Sequence, residues 1–256
     1  MAAIGLRWGR GALVAGALLL GVAGSGAAAE VTVFAAASLK DVFQQMAQAF
    51  ETLRPRDRVN LVFGAAGELE RRMGEGARPD VFAADDGAPM ERAVAAGLVN
   101  PASQINFARN QLVVVVPAVS SIPWRQLTDL ARLEVKRIVM GDPELVPAGR
   151  HAREVMQTAR MWADVRDRLL FEPDVRSVLE RLARNEADAG FVYATDAAQA
   201  VNRVLIVERP ATESSIVYPI AVLREAPQPE AAAAFAALVG SETGRRILTA
   251  HGFLPP

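Results

Sequence analysis

Apolar positions along this chain alternate between two spacings. Residues 31–35 (VTVFA) form a short β-rich run, and after Ser38 the interval changes. Leu39, Val42, Phe43, Met46, Phe50 and Leu53 then recur three or four apart, as one face of a helix that must stop before Pro55. Residues 59–63 repeat the scheme, with a helix over about 68–73, and residues 81–83 begin a third unit whose helix opens near Asp86 and ends at Gly97. The run 111–117 (QLVVVVP) is too continuously apolar for a strand with one wet face and is predicted to be buried on both sides. After it the pattern predicts a helical stretch over 123–133, a strand at 137–140 and a helix over 148–161. A helix over 175–184 and a strand at 189–193 complete this half. A second buried-type run, 216–223 (IVYPIAVL), is interrupted by Pro219 and precedes two helices, 229–238 and 241–250.

Strands alternating with helices imply α/β architecture, parallel pairing and right-handed crossovers. Two such halves with two long apolar strands between them predict a chain that crosses from one lobe to the other and back. Ligands of open α/β sheets bind beyond the carboxyl ends of the strands, so the cleft between the lobes is the place to look for function.

Residues 1–29 stand outside this alternation. Arg7 and Arg10 precede an apolar run, 11–22 (GALVAGALLLGV), and small residues follow, ending Ala27-Ala28-Ala29 before Glu30. The run is shorter than the ~20 residues a membrane span needs. It is predicted to be a cleavable export signal cut after Ala29, giving a periplasmic protein. The 256 residues include 28 basic and 29 acidic side chains, two histidines and no cysteine. Disulfides, thiol catalysis, cysteine-ligated metals and lipid attachment at the cut are thereby excluded, and His151 and His251 lack the spacing of a metal pair. A net charge of −1 argues against a nucleic-acid partner.

Four strand-to-helix turns present small residues and backbone N–H groups: 35–38 (AAAS), 64–67 (GAAG), 141–149 (GDPELVPAG) and 173–176 (PDVR). Ser38 is placed as a helix N-cap or as a hydroxyl donor, Asp174 as an N-cap and Arg176 as a solvated charge. The glycines at 64–67 lack the Gly-Lys-Ser/Thr ending of a phosphate loop. Several helix N-termini aimed at one cleft can hold a small dianion without a lysine or arginine beside it, and the Ser38 and Tyr193 hydroxyls add neutral donors. Asp85, Asp86, Asp142, Glu144, Asp174 and Asp196 also lie near turns, where capping is their commoner role. None has a nucleophile motif beside it, so the protein is not expected to be an enzyme.

The segments 31–43 (VTVFAAASLKDVF), 141–156 (GDPELVPAGRHAREVM) and 173–197 (PDVRSVLERLARNEADAGFVYATDA) together resemble the periplasmic molybdate-binding proteins of ABC transporters. The likeness continues through 80–86 (DVFAADD), 111–117 and 218–223 (YPIAVL). It implies a two-lobed fold of the type II periplasmic-binding-protein kind, each lobe a mainly parallel sheet flanked by helices, joined by two hinge strands. The first lobe would comprise 30–112 with 218–256, and the second 113–217. The resemblance implies a monomer that captures molybdate or tungstate, needs no cofactor and no metal cation, and delivers the anion to a membrane permease. Carried over by position, Ser38, Ala66, Ala148, Val175 and Tyr193 would contact the oxyanion. Ala66 stands where the family usually has serine, and Asp85 where a small residue is common, which leaves open tuning to another tetrahedral anion such as sulfate or phosphate. Asp85 is most simply a helix cap or a solvent-facing charge. Facing the cleft, it would repel a dianion or accept a proton from a protonated anion.

Overall fold

The computed structural model describes residues 1–2 and 28–256. Residues 3–27 of the predicted signal, with Arg7, Arg10 and the apolar run 11–22, lie outside the described residues. The chain alternates as the spacing implies: β1 (Glu30–Ala36), α1 (Lys40–Leu53), β2 (Arg58–Gly64), α2 (Ala66–Gly74), β3 (Val81–Ala83), α3 (Gly87–Ala95) and β4 (Ile105–Asn110). It then passes through Gln111 into β5 (Leu112–Pro117), β6 (Ile138–Gly141), α4 (Pro147–Thr158), α5 (Trp162–Val165), β7 (Leu169–Glu172), α6 (Val175–Ala183), β8 (Ala189–Tyr193), α7 (Ala194–Ala198) and β9 (Val204–Glu208). Finally β10 (Ile216–Val222), α8 (Pro229–Gly240) and α9 (Glu242–Ala250) return to the first half.

Two five-stranded sheets result, in the orders β2-β1-β3-β10-β4 and β7-β6-β8-β5-β9. This is the two-lobed α/β arrangement the sequence implies, with one refinement. Four strands of each sheet run in one direction, three of them paired side by side in parallel, whereas β10 is antiparallel to its neighbours β3 and β4, and β5 to its neighbours β8 and β9. The sheets are therefore mixed, because a strand that enters from the other lobe arrives without a crossover helix to turn it parallel.

The β5 run is buried along its whole length, as its continuous valines require, and each such side chain withdrawn from water contributes about 1.5–3 kcal/mol. Pro219 sits in a strand with neighbours on both sides, where a missing N–H would cost a ladder bond. A bulge between Tyr218 and Pro219 absorbs the defect, and the Pro219 carbonyl still accepts from Ala84 N–H at 2.9 Å. The helix predicted over 123–133 is absent. Only a 3-10 turn, Leu127–Ala131, forms there, because the Asp129 carboxylate takes the N–H groups of Arg125 and Gln126 at 2.6 and 3.0 Å and Arg132 turns extended at its end. Strands β4, β7 and β9 escape the hydrophobic pattern: each lies at a sheet edge and carries exposed residues such as Ile105, Phe171 and Leu205.

Candidate functional site

In the first sheet the register pairs Ala36 with Gly64 and Ala35 with Ala83, so the carboxyl ends of β1, β2 and β3 are level. Ser38, Ala66 and Asp85 follow those ends by two residues each and thus share one rim. The second sheet repeats the device with β6, β7 and β8, which bring Ala148 and Val175 at helix starts and Tyr193 at a strand end to the matching rim.

The two rims touch. Gly67 N–H donates to the Leu145 carbonyl at 3.2 Å, joining the start of α2 to the turn that leads into α4. The Tyr193 hydroxyl donates to the Asp85 carbonyl at 3.3 Å. Arg176, at the start of α6, reaches the Ser38 carbonyl at 3.5 Å and the Asp41 carboxylate of α1 at 2.5 Å. Arg150 of α4 is paired with Asp86. Of the six sequence-selected residues, Tyr193 and Asp85 meet directly across the lobes, and the turns that carry Ser38, Ala66, Ala148 and Val175 lie along the two facing rims.

Each donor has a local cause. Ala66 and Val175 are first residues of their helices and Ala148 is second in α4, where first-turn N–H groups have no intrahelical acceptor. Pro147 at the start of α4 suits that position, having no N–H to satisfy. Asp174 caps α6 as expected, taking Arg176 and Ser177 N–H at 2.8 and 2.9 Å and leaving Val175 N–H outside the cap. The close-packed lead-in to α4 needs its glycines: a Cβ on Gly149 would stand 2.0 Å from the Gly141 carbonyl oxygen.

Ser38 is not the N-cap the sequence allowed. It lies inside a 3-10 turn, Ala37–Leu39, that precedes α1, and its side chain makes no cap bond. Instead Asn110 Nδ2 donates to the Tyr218 hydroxyl at 3.0 Å, and that hydroxyl donates to Ser38 Oγ at 3.2 Å. With Tyr218 already giving its proton to Ser38, the serine hydrogen is left to point elsewhere, which makes Ser38 a donor.

Asp85 also departs from its simplest role. Asp86 precedes α3 at the cap position, and Asp85 is buried, with a 3% exposed surface and an Oδ1 that has no hydrogen-bond partner among the described residues. Burial pushes its carboxyl up to about 7, opposed first by a hydrogen bond from its own backbone N–H, helped by the charge of Asp196, and opposed further by the Tyr193 phenol and the more distant Arg150. Burial likewise raises Asp196 to about 6 against the pull of Arg176, and it raises the Tyr193 and Tyr218 phenols well above their ordinary range.

Arg176 corrects a third expectation. It is not a solvated charge: its side chain is 18% exposed and joins Asp41 to the fully buried Asp196, which it meets at 2.9 Å. Tyr218, Asn110 and Arg176 were not picked out from sequence as site residues. The only sequence signal for Tyr218 is a polar atom inside an otherwise apolar run, a cue that a phenol there needs a partner.

A family model described as bacterial extracellular solute-binding protein matches residues 31–254. The molybdate-binding protein ModA of Mycobacterium tuberculosis (strain ATCC 25618 / H37Rv) is 35% identical over 230 residues, 90% of this chain and 86% of that protein. ModA of Escherichia coli (strain K12) is 35% identical over 224 residues, 82% of this chain and 85% of that protein. The solved structure of the Azotobacter vinelandii periplasmic molybdate-binding protein shares the fold, with a TM-score of 0.77 at 21% identity over 88% of this chain and 99% of that chain. A match that runs from the first strand to the last helix, over a fold of two lobes closed on a shared rim, leads to one conclusion: the chain belongs to the family of bacterial extracellular solute-binding proteins.

Proposed function

We propose that the protein is exported, works as a monomer and captures a tetrahedral oxyanion, molybdate or tungstate, between its lobes for delivery to an ABC permease. The observation that carries this reading is the donor set. Three helix starts and two hydroxyl groups lie along the facing rims of the two lobes, and Arg150 and Arg176, which reach across between those rims, are already paired with carboxylates. Such a site neutralises an anion with N–H dipoles and hydroxyls, and it disfavours anions whose own proton would find no acceptor. The similarity to proteins named for molybdate binding supports the choice of anion.

In this reading Ser38 contributes its hydroxyl and backbone N–H, Ala66, Ala148 and Val175 their N–H groups, and Tyr193 its phenol. The strands expected to act as hinges, around Leu112 to Val116 and Tyr218 to Val222, each lie inside one sheet. The lobes, residues 30–112 with 218–256 and residues 113–217 by sequence, therefore exchange Leu112 for Ile216 and Val217 and hinge at the two crossings, near Gln111 and between Glu208 and Ile216. No covalent step is involved and no cofactor is needed. Isothermal titration with molybdate, tungstate, sulfate and phosphate tests the assignment. Molybdate and tungstate should bind most tightly, and tighter binding of sulfate or phosphate would overturn it.

A further inference from the structure

Asp85 is a buried acidic group on the rim whose charge opposes an anionic ligand and which, unlike Asp86 and Asp196, has no arginine paired with it among the described residues. Its carboxyl follows the end of β3, level with Ser38 after β1 and Ala66 after β2, and its Oδ1 faces no donor among the described residues. Ala66 brings no hydroxyl to the β2 turn. A protonated carboxyl at the β3 turn supplies one, since a carboxylic acid is a donor as well as an acceptor. Resting on the oxyanion reading above, we propose that the bound anion is held with one proton between its oxygen and the Asp85 carboxyl. Capture then draws that proton from solvent whenever Asp85 is ionised beforehand.

The surroundings favour this over an ionised neighbour. Two full negative charges in contact inside a cleft repel, and uptake of one proton turns that contact into a hydrogen bond. The groups packed around Asp85 are few. Tyr193 and Tyr218 are neutral phenols, and Asp196, a like charge, is paired with Arg176, which also holds Asp41 of α1, while Asp41 and Asp174 add their own negative charge beside it. Arg150 is the nearest cation, but it is bound to Asp86 and to Glu154, the latter at 2.5 Å. His151 beside it is held near 4 by burial and by Arg150, so it is neutral at physiological pH and has no proton to give. With the lobes shut, burial, helped by Asp196, holds the Asp85 carboxyl at about 7 before an anion arrives, and the anion raises it further.

The same chemistry bears on selectivity. A shared proton is also what a monoprotonated tetrahedral anion brings with it, so Asp85 weakens the discrimination against such anions that an all-donor site would have.

The test counts protons. Molybdate is titrated calorimetrically into the wild-type protein at pH 8 in two buffers of different ionisation enthalpy, neither of them an oxyanion. Close to one proton should be taken up per anion at pH 8, falling toward zero at pH 6, and Kd should rise about tenfold per pH unit above pH 8. Asp85→Asn keeps the shape and offers a permanent donor with no proton to exchange, so its uptake should be near zero and its Kd flat with pH. Infrared difference spectra of the wild-type protein give a second reading that needs no variant: molybdate at pH 8 should produce one new protonated-carboxyl C=O band. Tight wild-type binding with no proton uptake and no such band overturns the proposal, as does an Asp85→Asn protein that takes up the same proton. Absence of binding to any of the four oxyanions instead overturns the functional reading beneath it.

Discussion

The contact between Gly67 and Leu145 allows the closing motion to be tested apart from the anion donors. A Cβ built on Gly67 would lie 2.7 Å from the Leu145 carbonyl oxygen and 3.3 Å from that residue's C and Cα. Ordinary carbon–oxygen contact is near 3.4 Å, so Gly67→Ala drives a methyl about 0.7 Å into backbone that cannot rotate away. The shut arrangement then loses the 3.2 Å bond from Gly67 N–H to Leu145, worth about 0.5–1.5 kcal/mol, and incurs overlap of about 1–3 kcal/mol. Together these oppose closure by roughly 2–4 kcal/mol, which raises Kd for the anion by about 30-fold to several hundred-fold. Inside the first lobe the effect has the opposite sign, since alanine in the first turn of α2 stabilises the helix by about 0.5–1 kcal/mol over glycine. Titration calorimetry should therefore show weakened molybdate binding while the ligand-free melting temperature stays level or rises. A Gly67→Ala protein that binds within threefold of wild type would refute the argument that these backbones must meet for capture.

Further expectations follow from the same contacts. Tyr193→Phe keeps the ring stacked edge-on against Tyr218, with centroids 5.9 Å apart, and removes only the phenol. Molybdate Kd should rise about 10- to 150-fold for a lost hydrogen bond to a charged ligand, and ligand-free melting should fall slightly, because the 3.3 Å bond to the Asp85 carbonyl is lost as well. Asp85→Asn should stabilise the ligand-free protein in a pH-dependent way. Because the folded carboxyl sits near 7 against an ordinary 3.8, its burial costs nothing below about pH 4 and reaches its full penalty above pH 7. Denaturant titrations should show a gain of up to about 4 kcal/mol at pH 8 and none at pH 4. Arg176→Met leaves the fully buried Asp196 without its cation, at a cost of roughly 3–5 kcal/mol, and should lower the melting temperature by on the order of 10 °C. The loss should shrink at pH 5, where Asp196, already near 6 with its partner present, is protonated; an equal loss at pH 5 and pH 8 would contradict the pairing.

Period and turn chemistry made most of the architecture legible in the sequence. The helical face from Leu39 to Phe50, the continuous valines of β5 and the cap residue Asp174 each state a local preference that the fold keeps. The same logic selected the turns after β1, β2, β6 and β7, because a strand end followed by small residues and a helix start exposes N–H groups whatever surrounds it. Local preference also misled: at 123–133 a competing local cap by Asp129 stopped the helix, and elsewhere a distant residue decided. Ser38 reads as a cap until Tyr218, 180 positions away, occupies its oxygen. Arg176 reads as solvated until Asp41 and Asp196 close on it from two elements. Edge strands β4, β7 and β9 carry no strand signal in the hydrophobic pattern, since only pairing across the sheet makes them strands. By itself, the sequence determined which segments are strands or helices with buried faces, and which helix ends are bare. Only the tertiary structure decided that the two rims meet and that Asp85 is shut away from water between them, because burial and its effect on a carboxyl depend on what the other lobe places over it.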